Sequence, residues 1–415
     1  MSTKGKGDEL LQVAKAHLYG NYKPAPFVVE RGRGCELFDV DGRRCLDLMA
    51  GVAVSALGHG HPALVQAIAE QAAKVIHVSN YFYNEPNVRL ASELCRRTGY
   101  DRAFFCNSGA EANEALLKMA RHHFFAAGDK SRSRVVAFHN AFHGRTMGAL
   151  SMTGTPKYRE GFGEMGPVTH VAYGDIEAVK AVMGADVAAV IVEPVQGEGG
   201  VFLPPKEFFR GLRATCDAHG ALLLVDEVQT GIGRLGRFLG HDGCGARADA
   251  VALAKGLGGG VPIGAMLTTE KLAGALPPGT HGSTFGGNPL ACAASLAVLR
   301  VLDEEKLIDG ARDKGEALAR MLESLVLEFP TLCEQTRGDG LLRGLVLRQG
   351  ILARDLVLRL QQLGVLLTAA GERVLRFSPP LVVTLDELEE GVAMVREALL
   401  ELATPRSETA AAVAV

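Results

Sequence analysis

The sequence predicts an α/β protein with a large domain around a mostly parallel sheet and a smaller α+β domain. Between residues 89 and 301, apolar strand patterns alternate with amphipathic helix patterns, which is the order that builds a parallel sheet covered by helices. Within this region Ala221–Val225 is continuously apolar, as is typical of a strand buried on both faces. After residue 302 the alternation ends, which predicts a separate, smaller unit.

Residues 1–50 are predicted to form a short helix and a three-stranded meander that pack with the small domain. The helix covers Asp8–Tyr19. The strands are Phe27–Glu30, Glu36–Asp39 and Arg44–Leu48, with a hairpin turn at residues 41–42.

The large domain is assigned to residues 51–302. Near its start the segment GHGHP contains His59 and His61, which indicate a turn into a helix rather than a metal site because no third ligand lies nearby. The predicted helices are Ala63–Val75, Arg89–Thr98, Glu111–Phe125, Lys206–His219 and Asn288–Leu302. The predicted strands are Arg102–Cys106, Arg134–Phe138, Thr169–Tyr173, Ala188–Val192, Ala221–Val225, Asp249–Ala254 and Gly264–Thr268. Ligands of such a sheet bind at the carboxyl ends of its strands.

The small domain is assigned to residues 303–402, and residues 403–415 are expected to be a flexible tail. Its predicted helices are Leu307–Glu328, Ala353–Leu363 and Leu385–Leu402. Its predicted strands are Leu341–Leu347, Val365–Leu367 and Val374–Phe377.

The composition narrows the possible partners and the compartment. Of the 415 residues 47% are hydrophobic, and the net charge of −3 gives no electrostatic reason to expect nucleic acid or an anionic membrane. The eight cysteines are scattered without a C-x-x-C motif, which argues against a zinc site and for reduced thiols. The amino terminus lacks the apolar core of a secretory signal, so we expect a cytoplasmic protein.

Ionisable residues at the ends of two buried strands suggest a cofactor. Asp226 and Glu227 end the run Ala221–Val225, and Lys255 ends the run Asp249–Ala254 before a glycine cluster. A buried carboxylate and a buried lysine are costly unless they are paired or used. An internal Asp–Lys ion pair is one explanation. The other is pyridoxal phosphate (PLP), which needs a lysine on its aldehyde and an acid on its ring nitrogen.

The segment CNSGAEAN (106–113) is a candidate phosphate site. Ser108 is of the helix N-cap type, Glu111 completes a capping box, and Gly109 and Ala110 present backbone amides at the helix start. Amides and helix dipole together bind anions. Plain helix capping is the alternative.

Other candidate residues follow neighbouring strands. Phe142 and His143 offer flat faces to an aromatic ring, and Arg145 can grip a carboxylate. Glu193 and Glu198 end another buried strand, in VEPVQGEGG. In GSTFGGNP, Ser283 and Thr284 supply hydroxyl groups before a helix.

Taken together, these segments resemble the class III (subgroup II) aminotransferases of PLP fold type I. The motifs that carry the resemblance are ALGHGHPALV, CNSGAEANEA, AFHGR, EPVQGEGG, DEVQTGIGR, AKGLGGGVPIGAML, HGSTFGGNPLAC and LRFSPPLVV. They run in order from Tyr22 to about Val383 and so cover nearly the whole chain. Within this family the chain looks most like the acetylornithine aminotransferases.

The resemblance implies a set of cofactor contacts. Lys255 would hold PLP covalently and move protons, Asp226 would keep the ring nitrogen protonated, Gln229 would bind the phenolic oxygen, and Phe142 would stack on the ring. The resemblance also implies that Thr284 reaches the phosphate of a second subunit, which makes a homodimer with shared active sites. The remaining implied contacts are Ser108, Gly109, Ala110, Glu227 and Val228.

The resemblance also implies how the substrates bind. Arg145 and Tyr22 would grip one carboxylate and Arg376 a second. Glu198 would pair with Arg376 while an ω-amino donor is bound and release it to 2-oxoglutarate or glutamate. Val52 stands where ornithine aminotransferases carry a tyrosine, which favours an acylated donor, and Ser283 would contact that donor from the partner chain.

The implied activity is transfer of the δ-amino group of N2-acetyl-L-ornithine to 2-oxoglutarate, as in arginine biosynthesis. Succinylornithine, 4-aminobutyrate or ornithine as the donor is the alternative within the family. PLP-dependent decarboxylation or racemisation, and a PLP-fold protein that only binds, are the alternatives outside it. Loss of Lys255 or Asp226 would mark the last of these, and both are present.

Overall fold

The N-terminal segment forms a helix, a small sheet and an unusual turn. In the computed structural model, which describes residues 5–404, α1 (Lys6–His17) precedes the antiparallel strands β1 (Val29–Arg33), β2 (Glu36–Asp39) and β3 (Arg44–Asp47). The turn α2 (Ala50–Ala53) has positive φ at all four residues. It leads to α3 (Pro62–Lys74), which begins at a proline, where helices tolerate one.

The alternating region forms one seven-stranded sheet. Its strands are β4 (Arg102–Cys106), β5 (Arg134–Phe138), β6 (Val168–Val171), β7 (Val187–Val192), β8 (Leu222–Asp226), β9 (Ala250–Leu253) and β10 (Gly264–Thr268). They lie in the order β4-β10-β9-β8-β7-β5-β6, and β10 alone among them runs antiparallel to its neighbours. The helices of this region are α4 (Glu85–Thr98), α5 (Gly109–Ala126), α6 (Met147–Met152), α7 (Ile176–Val182), α8 (Phe208–His219) and α9 (Pro289–Glu304).

The centre of this sheet is apolar because its strands are covered on both faces. Every residue of β7, β8 and β9 is buried, as expected for parallel strands between two helical layers. Only Asp226, the last residue of β8, breaks this apolar pattern, and it stands at the edge where the strands end.

The C-terminal region forms the smaller unit. Its elements are α10 (Leu307–Glu328), β11 (Cys333–Asp339), β12 (Leu342–Leu347), α11 (Ala353–Leu363), β13 (Val365–Leu366), β14 (Thr368–Ala370), β15 (Val374–Phe377) and α12 (Leu385–Ala403). Four of the strands form a sheet in the order β11-β12-β15-β14, and β13 pairs in parallel with β3 of the N-terminal segment. The two ends of the chain therefore share a sheet.

The predicted α/β class with a mostly parallel sheet is confirmed, although several elements were not predicted. These are α2, α6, α7, β11 and β14. In β11 the burial pattern lacks a regular alternation of buried and exposed residues, so it carries no strong strand signal. Ala403 belongs to α12, and residues 405–415 of the expected flexible tail lie outside the described residues.

The described helices and side chains bear on membrane and metal binding. Among the helices of residues 5–404, none is both long enough and apolar enough to cross a bilayer. Within the same residues no three His, Cys, Asp or Glu side chains come together as a potential metal site. His59 instead contacts Asp47 at 2.7 Å, and His61 contacts Glu305 at 3.2 Å.

Candidate active site

A cavity of about 410 Å³ opens where the strands of the large sheet end. Residues from five strand ends and from the start of α5 line it. They include Asn107, Ser108, Gly109, Ala110, Asn113, Phe142, His143, Arg145, Glu193, Glu198, Asp226, Val228, Gln229 and Lys255. Parallel strands that end on one edge place these separated sequence segments side by side.

The carboxylate of Asp226 is buried at the floor of the cavity and held in one orientation. Its Oδ2 accepts hydrogen bonds from Asn113 Nδ2 at 2.7 Å and lies 2.7 Å from His143 Nδ1. Its Oδ1 accepts from the Val228 amide at 2.9 Å. A carboxylate offers about four acceptor positions, so three partners leave one for a group in the cavity.

Lys255 lies at the end of β9, on the cavity wall, and has a positive φ of 45°. Burial lowers the pKa of its amine; the Glu198 carboxylate opposes this shift and the Arg376 guanidinium adds to it. A lowered pKa leaves more of the amine uncharged at neutral pH and therefore nucleophilic. Asp226 and Lys255, both in the described part of the chain, do not form the ion pair that was the alternative explanation; Asp226 Oδ2 instead contacts His143 Nδ1.

The amino end of α5 provides an anion site. Ser108 Oγ accepts from the Glu111 amide at 3.2 Å, and Glu111 Oε2 accepts from the Asn107 amide at 2.9 Å. This capping leaves the first amides of the helix, at Gly109 and Ala110, facing the cavity that both residues line. A Cβ at Gly109 would lie 2.6 Å from Val228 Cγ1, so only glycine permits this approach.

A buried arginine stands behind the cavity wall. Arg376 is 2% exposed. Its Nη1 donates to Glu198 Oε1 at 2.6 Å and to the Gly197 carbonyl at 3.0 Å, and Nε donates to Thr368 Oγ1 at 3.1 Å. Burial opposes ionisation of Glu198, but Arg376 and then Lys255 outweigh it and hold its pKa below the usual value. Gln229 Nε2 also donates to Glu198 Oε1, at 3.2 Å.

The side of the cavity formed after β5 combines an aromatic ring with a cation. The Phe142 amide donates to Glu193 Oε2 at 3.1 Å. Burial, and then the nearby Asp226 carboxylate, raises the pKa of Glu193 well above its usual range. Arg145 is exposed, and its guanidinium lies 3.9 Å from the centre of the Tyr158 ring and 5.6 Å from that of Phe142.

Five predicted contacts do not line the cavity, and one of them is Arg376, which stands behind its wall. Glu227 accepts from Thr230 Oγ1 at 2.5 Å and from the His241 amide at 2.8 Å, so its side-chain position does not support a cofactor contact. Tyr22 is 80% exposed and does not join Arg145. Ser283 Oγ accepts from Asn107 Nδ2 at 3.1 Å within the same chain. Thr284 is exposed.

Other cavity residues carried no sequence prediction of a role. Asn113 donates a hydrogen bond to Asp226, and Glu193 accepts one from the Phe142 backbone. Val54 adds an apolar side chain to the cavity wall. His143 was expected only as a flat face, whereas its Nδ1 contacts Asp226. The signal for Asn113 was present in CNSGAEAN, since positions i and i+4 of a helix lie on one face and Asn113 follows Gly109 by four.

These groups fit PLP. The Gln229 Oε1 atom is buried at the cavity without a hydrogen-bond partner among the described residues, so a polar group is available to a ligand there. The first amides of α5 match a phosphate, the free acceptor position of Asp226 matches a ring N–H, and Lys255 supplies an amine. Phe142 and Val228 supply apolar surface for a ring.

Most of the chain is similar to known aminotransferases. Residues 19–399 match the family model "Aminotransferase class-III". An acetylornithine aminotransferase of Myxococcus xanthus is 47% identical over 94% of this chain and 97% of its own length. A Toxoplasma gondii ornithine aminotransferase structure, with PLP partly occupying its active site, is 34% identical with a TM-score of 0.91, covering 96% of both chains. The Elizabethkingia anophelis acetylornithine aminotransferase structure is 32% identical with a TM-score of 0.85, covering 96% of this chain and all of that one.

Proposed function

The chain belongs to the class-III aminotransferases and is a PLP-dependent transaminase, and from this premise we propose that it moves the δ-amino group of N2-acetyl-L-ornithine to 2-oxoglutarate. The products are N-acetyl-L-glutamate 5-semialdehyde and L-glutamate. The relative named for this reaction in Myxococcus xanthus, at 47% identity, supports the donor. The observation that carries the two-substrate cycle is the contact between Arg376 and Glu198 at the cavity.

We assign the cofactor contacts as follows. Lys255 Nζ would bind the aldehyde, Asp226 would keep a proton on the ring nitrogen, and the α5 amides at Gly109 and Ala110 with Ser108 would hold the phosphate. Gln229 would bind the phenolic oxygen. Bound PLP supplies an electron sink for the carbon that loses its proton.

The protein moves that proton with Lys255. Its Nζ would take the proton from the donor carbon that carries the amino group and hold it for return in the same half-reaction. The lowered pKa of Lys255 suits it to accept a proton at neutral pH and release it again. Asn113 and His143 fix the Asp226 carboxylate, so it needs no rearrangement when the ring binds.

The Glu198–Arg376 pair distinguishes the two substrates. N2-acetylornithine has one free carboxylate, which we assign to Arg145, and during its half-reaction Glu198 neutralises the buried Arg376. Glutamate and 2-oxoglutarate have a second carboxylate, which takes Arg376 and displaces Glu198. Without Glu198, the buried guanidinium of Arg376 would be unpaired while N2-acetylornithine is bound.

The proposed assembly is a homodimer in which Thr284 reaches the partner's phosphate site. Three consecutive aromatic side chains, Tyr81, Phe82 and Tyr83, are 71–96% exposed, and Phe285 beside Thr284 is 60% exposed. Asn80 Nδ2 donates to the carbonyl of Ser283 at 2.8 Å and so ties this aromatic segment to the loop of Thr284. An apolar surface of this kind is typical of an interface. The cytoplasmic location expected from the sequence remains a prediction.

A direct test mixes purified, PLP-loaded protein with N2-acetylornithine alone. We expect the cofactor absorbance to change to that of the amino form, and 2-oxoglutarate to restore it with formation of glutamate. Succinylornithine, ornithine and 4-aminobutyrate are measured in parallel, and kcat/KM ranks the donors. No spectral change with any donor refutes the proposed reaction, and a higher kcat/KM for another donor refutes the substrate assignment.

A further inference from the structure

The guanidinium of Arg145 lines the cavity without a polar partner of its own. Within residues 5–404 its side chain forms no ion pair and no hydrogen bond, and the residue is exposed. It lies instead over the ring of Tyr158, with 3.9 Å between the guanidinium carbon and the ring centre. At this distance the face of an aromatic ring attracts a cation. Tyr22, the partner that the resemblance implies for Arg145, is exposed and does not join it.

The segment that leads to Tyr158 is held against the chain that follows β5. The Gly154 amide donates to the Ala141 carbonyl at 2.8 Å, and the His143 amide donates to Thr153 Oγ1 at 3.0 Å. A Cβ at Gly154 would clash with a backbone carbonyl oxygen at the end of β5, so this close approach requires glycine. None of these contacts uses the side chain of Tyr158, so they remain when that side chain is replaced.

The residue after Tyr158 ties the same segment to β6. Arg159 Nη1 lies 3.3 Å from His170 Nδ1, and His170 Nε2 lies 3.2 Å from the Met152 carbonyl. Burial, and then the nearby Arg159 cation, lowers the pKa of His170 to about 4. The ring is therefore neutral at pH 7, so Nε2 donates to the carbonyl and Nδ1 accepts from Arg159. Because its segment is fixed on both sides, Tyr158 has little freedom to move with Arg145.

Phe142 completes this group of planar side chains. Its ring centre lies 6.1 Å from that of Tyr158, at an interplanar angle of 88°, which is the edge-to-face arrangement that aromatic rings prefer. Phe142 and Arg145 line the cavity, whereas Tyr158 does not. Tyr158 therefore acts from behind the wall, on the two side chains that form it.

We propose that Tyr158 is a positioning residue that holds the Arg145 guanidinium in place to receive the carboxylate of the substrate. The inference rests on the proposed function, in which Arg145 binds the free carboxylate of N2-acetylornithine. An exposed arginine has many rotamers, and restricting them before the substrate arrives reduces the entropy lost on binding. The face of the ring makes this contact, so the hydroxyl group of Tyr158 is not needed for it.

The experiment measures the half-reaction with N2-acetylornithine from the cofactor absorbance, in Tyr158→Leu and in Tyr158→Phe. In Tyr158→Leu the half-saturating donor concentration should rise about fivefold, the upper range for an exposed cation–π contact, while the limiting rate stays within about twofold of wild type. Tyr158→Phe keeps a ring, so both constants should stay within about twofold. An unchanged half-saturating concentration in Tyr158→Leu, or an equal loss in Tyr158→Phe, overturns the proposal.

A double substitution tests whether Tyr158 acts through Arg145. Arg145→Met alone should raise the half-saturating concentration at least about tenfold, because it removes charged hydrogen bonds to the carboxylate. Adding Tyr158→Leu to Arg145→Met should change that value by no more than about twofold, since the ring then has no guanidinium to hold. A further loss of about fivefold means that Tyr158 acts independently of Arg145 and overturns the proposal.

Phe38→Leu is the matched control, because the guanidinium of Arg31 lies over the Phe38 ring at the same distance of 3.9 Å. These two residues lie opposite each other on β1 and β2, outside the cavity lining. The control should leave both constants within about twofold of wild type. A loss as large as that in Tyr158→Leu overturns the proposal, since removal of an unrelated contact would then have the same effect.

The same set of variants distinguishes failure of this inference from failure of the proposed function. If Arg145→Met binds the donor as well as wild type does, Arg145 does not hold the carboxylate and that part of the proposed function is wrong. If Arg145→Met weakens binding and Tyr158→Leu does not, the inference alone is wrong. Every donor considered above carries a carboxylate, so if N2-acetylornithine does not react, the comparison is made with the donor that does.

Discussion

Replacing Glu198 with alanine should reverse the substrate balance of the enzyme. The substitution leaves Arg376, which is 2% exposed, with the Gly197 carbonyl and the Thr368 hydroxyl but no counter-charge. Removing one partner of a fully buried ion pair costs roughly 3–5 kcal/mol. The Glu198 side chain is 30% exposed, so solvent screening reduces the cost to about 2 kcal/mol.

That free energy acts on only one of the two half-reactions. With N2-acetylornithine, Arg376 is unpaired both in the free variant and with the donor bound, so the cost cancels and kcat/KM should stay near the wild-type value. With glutamate, the variant no longer has to break the ion pair, so kcat/KM should rise by up to about 30-fold, since 1.4 kcal/mol is a factor of ten. The donor-to-glutamate ratio should therefore fall by up to about 30-fold.

Stopped-flow absorbance of the cofactor measures each half-reaction without the other. Glu334→Ala is the matched control, because Glu334 on β11 pairs at 2.8 Å with Arg373, which directly precedes β15, and both side chains are about one-third exposed. It should leave the ratio at the wild-type value. If Glu198→Ala slows both half-reactions by the same factor, the assignment of Glu198 as a switch is wrong.

The remaining predictions concern the cofactor contacts. Lys255→Met should abolish turnover. In the protein without cofactor it should also flatten the pH dependence of unfolding. The pKa of Lys255 is lowered in the folded state, so the stability of the wild type rises with pH up to about 10.4, the unfolded value. Urea midpoints between pH 7 and 9.5 measure this, and equal slopes of midpoint against pH in wild type and variant contradict it. Asp226→Asn should lower kcat roughly 10³-fold, because a neutral amide does not hold a proton on the ring nitrogen; a near-normal rate contradicts the assignment. Gly109→Ala should weaken PLP binding by at least about tenfold, because its Cβ would lie 2.6 Å from Val228, and equilibrium dialysis against PLP checks this.

The strand-end residues were predictable from sequence because they are charged and directly follow apolar runs. Asp226 and Lys255 each interrupt an apolar strand pattern, and parallel strands that end on one edge bring such residues together. The contact of Arg376 with Glu198 joins the small unit to a loop of the large sheet. Sequence periodicity describes single elements and could not predict this contact, which only the family resemblance implied. The spacing of Asn113 from Gly109 places it on the cavity side of α5, but its hydrogen bond to Asp226 joins distant parts of the chain and is visible only in the structure.

The turn Ala50–Ala53 was not predictable from local propensity. In the sequence AGVA only Gly51 favours positive φ, and the other three residues adopt it because Asp47 and Ser378, far apart in the chain, hold the backbone. The strands β11 and β14 were missed for a related reason. The pairing of β11 with β12 and of β14 with β15, and not an apolar alternation of their own, defines them.

The parallel pairing of β13 with β3 has a consequence for how the protein is made. On the ribosome the amino-terminal meander emerges first, yet the strand that completes its sheet emerges only after nearly all the rest. During that interval the free edge of β3 carries unpaired backbone groups, and such edges invite association with other chains. We therefore expect a truncated chain, in which β3 lacks β13, to aggregate more readily than the complete chain.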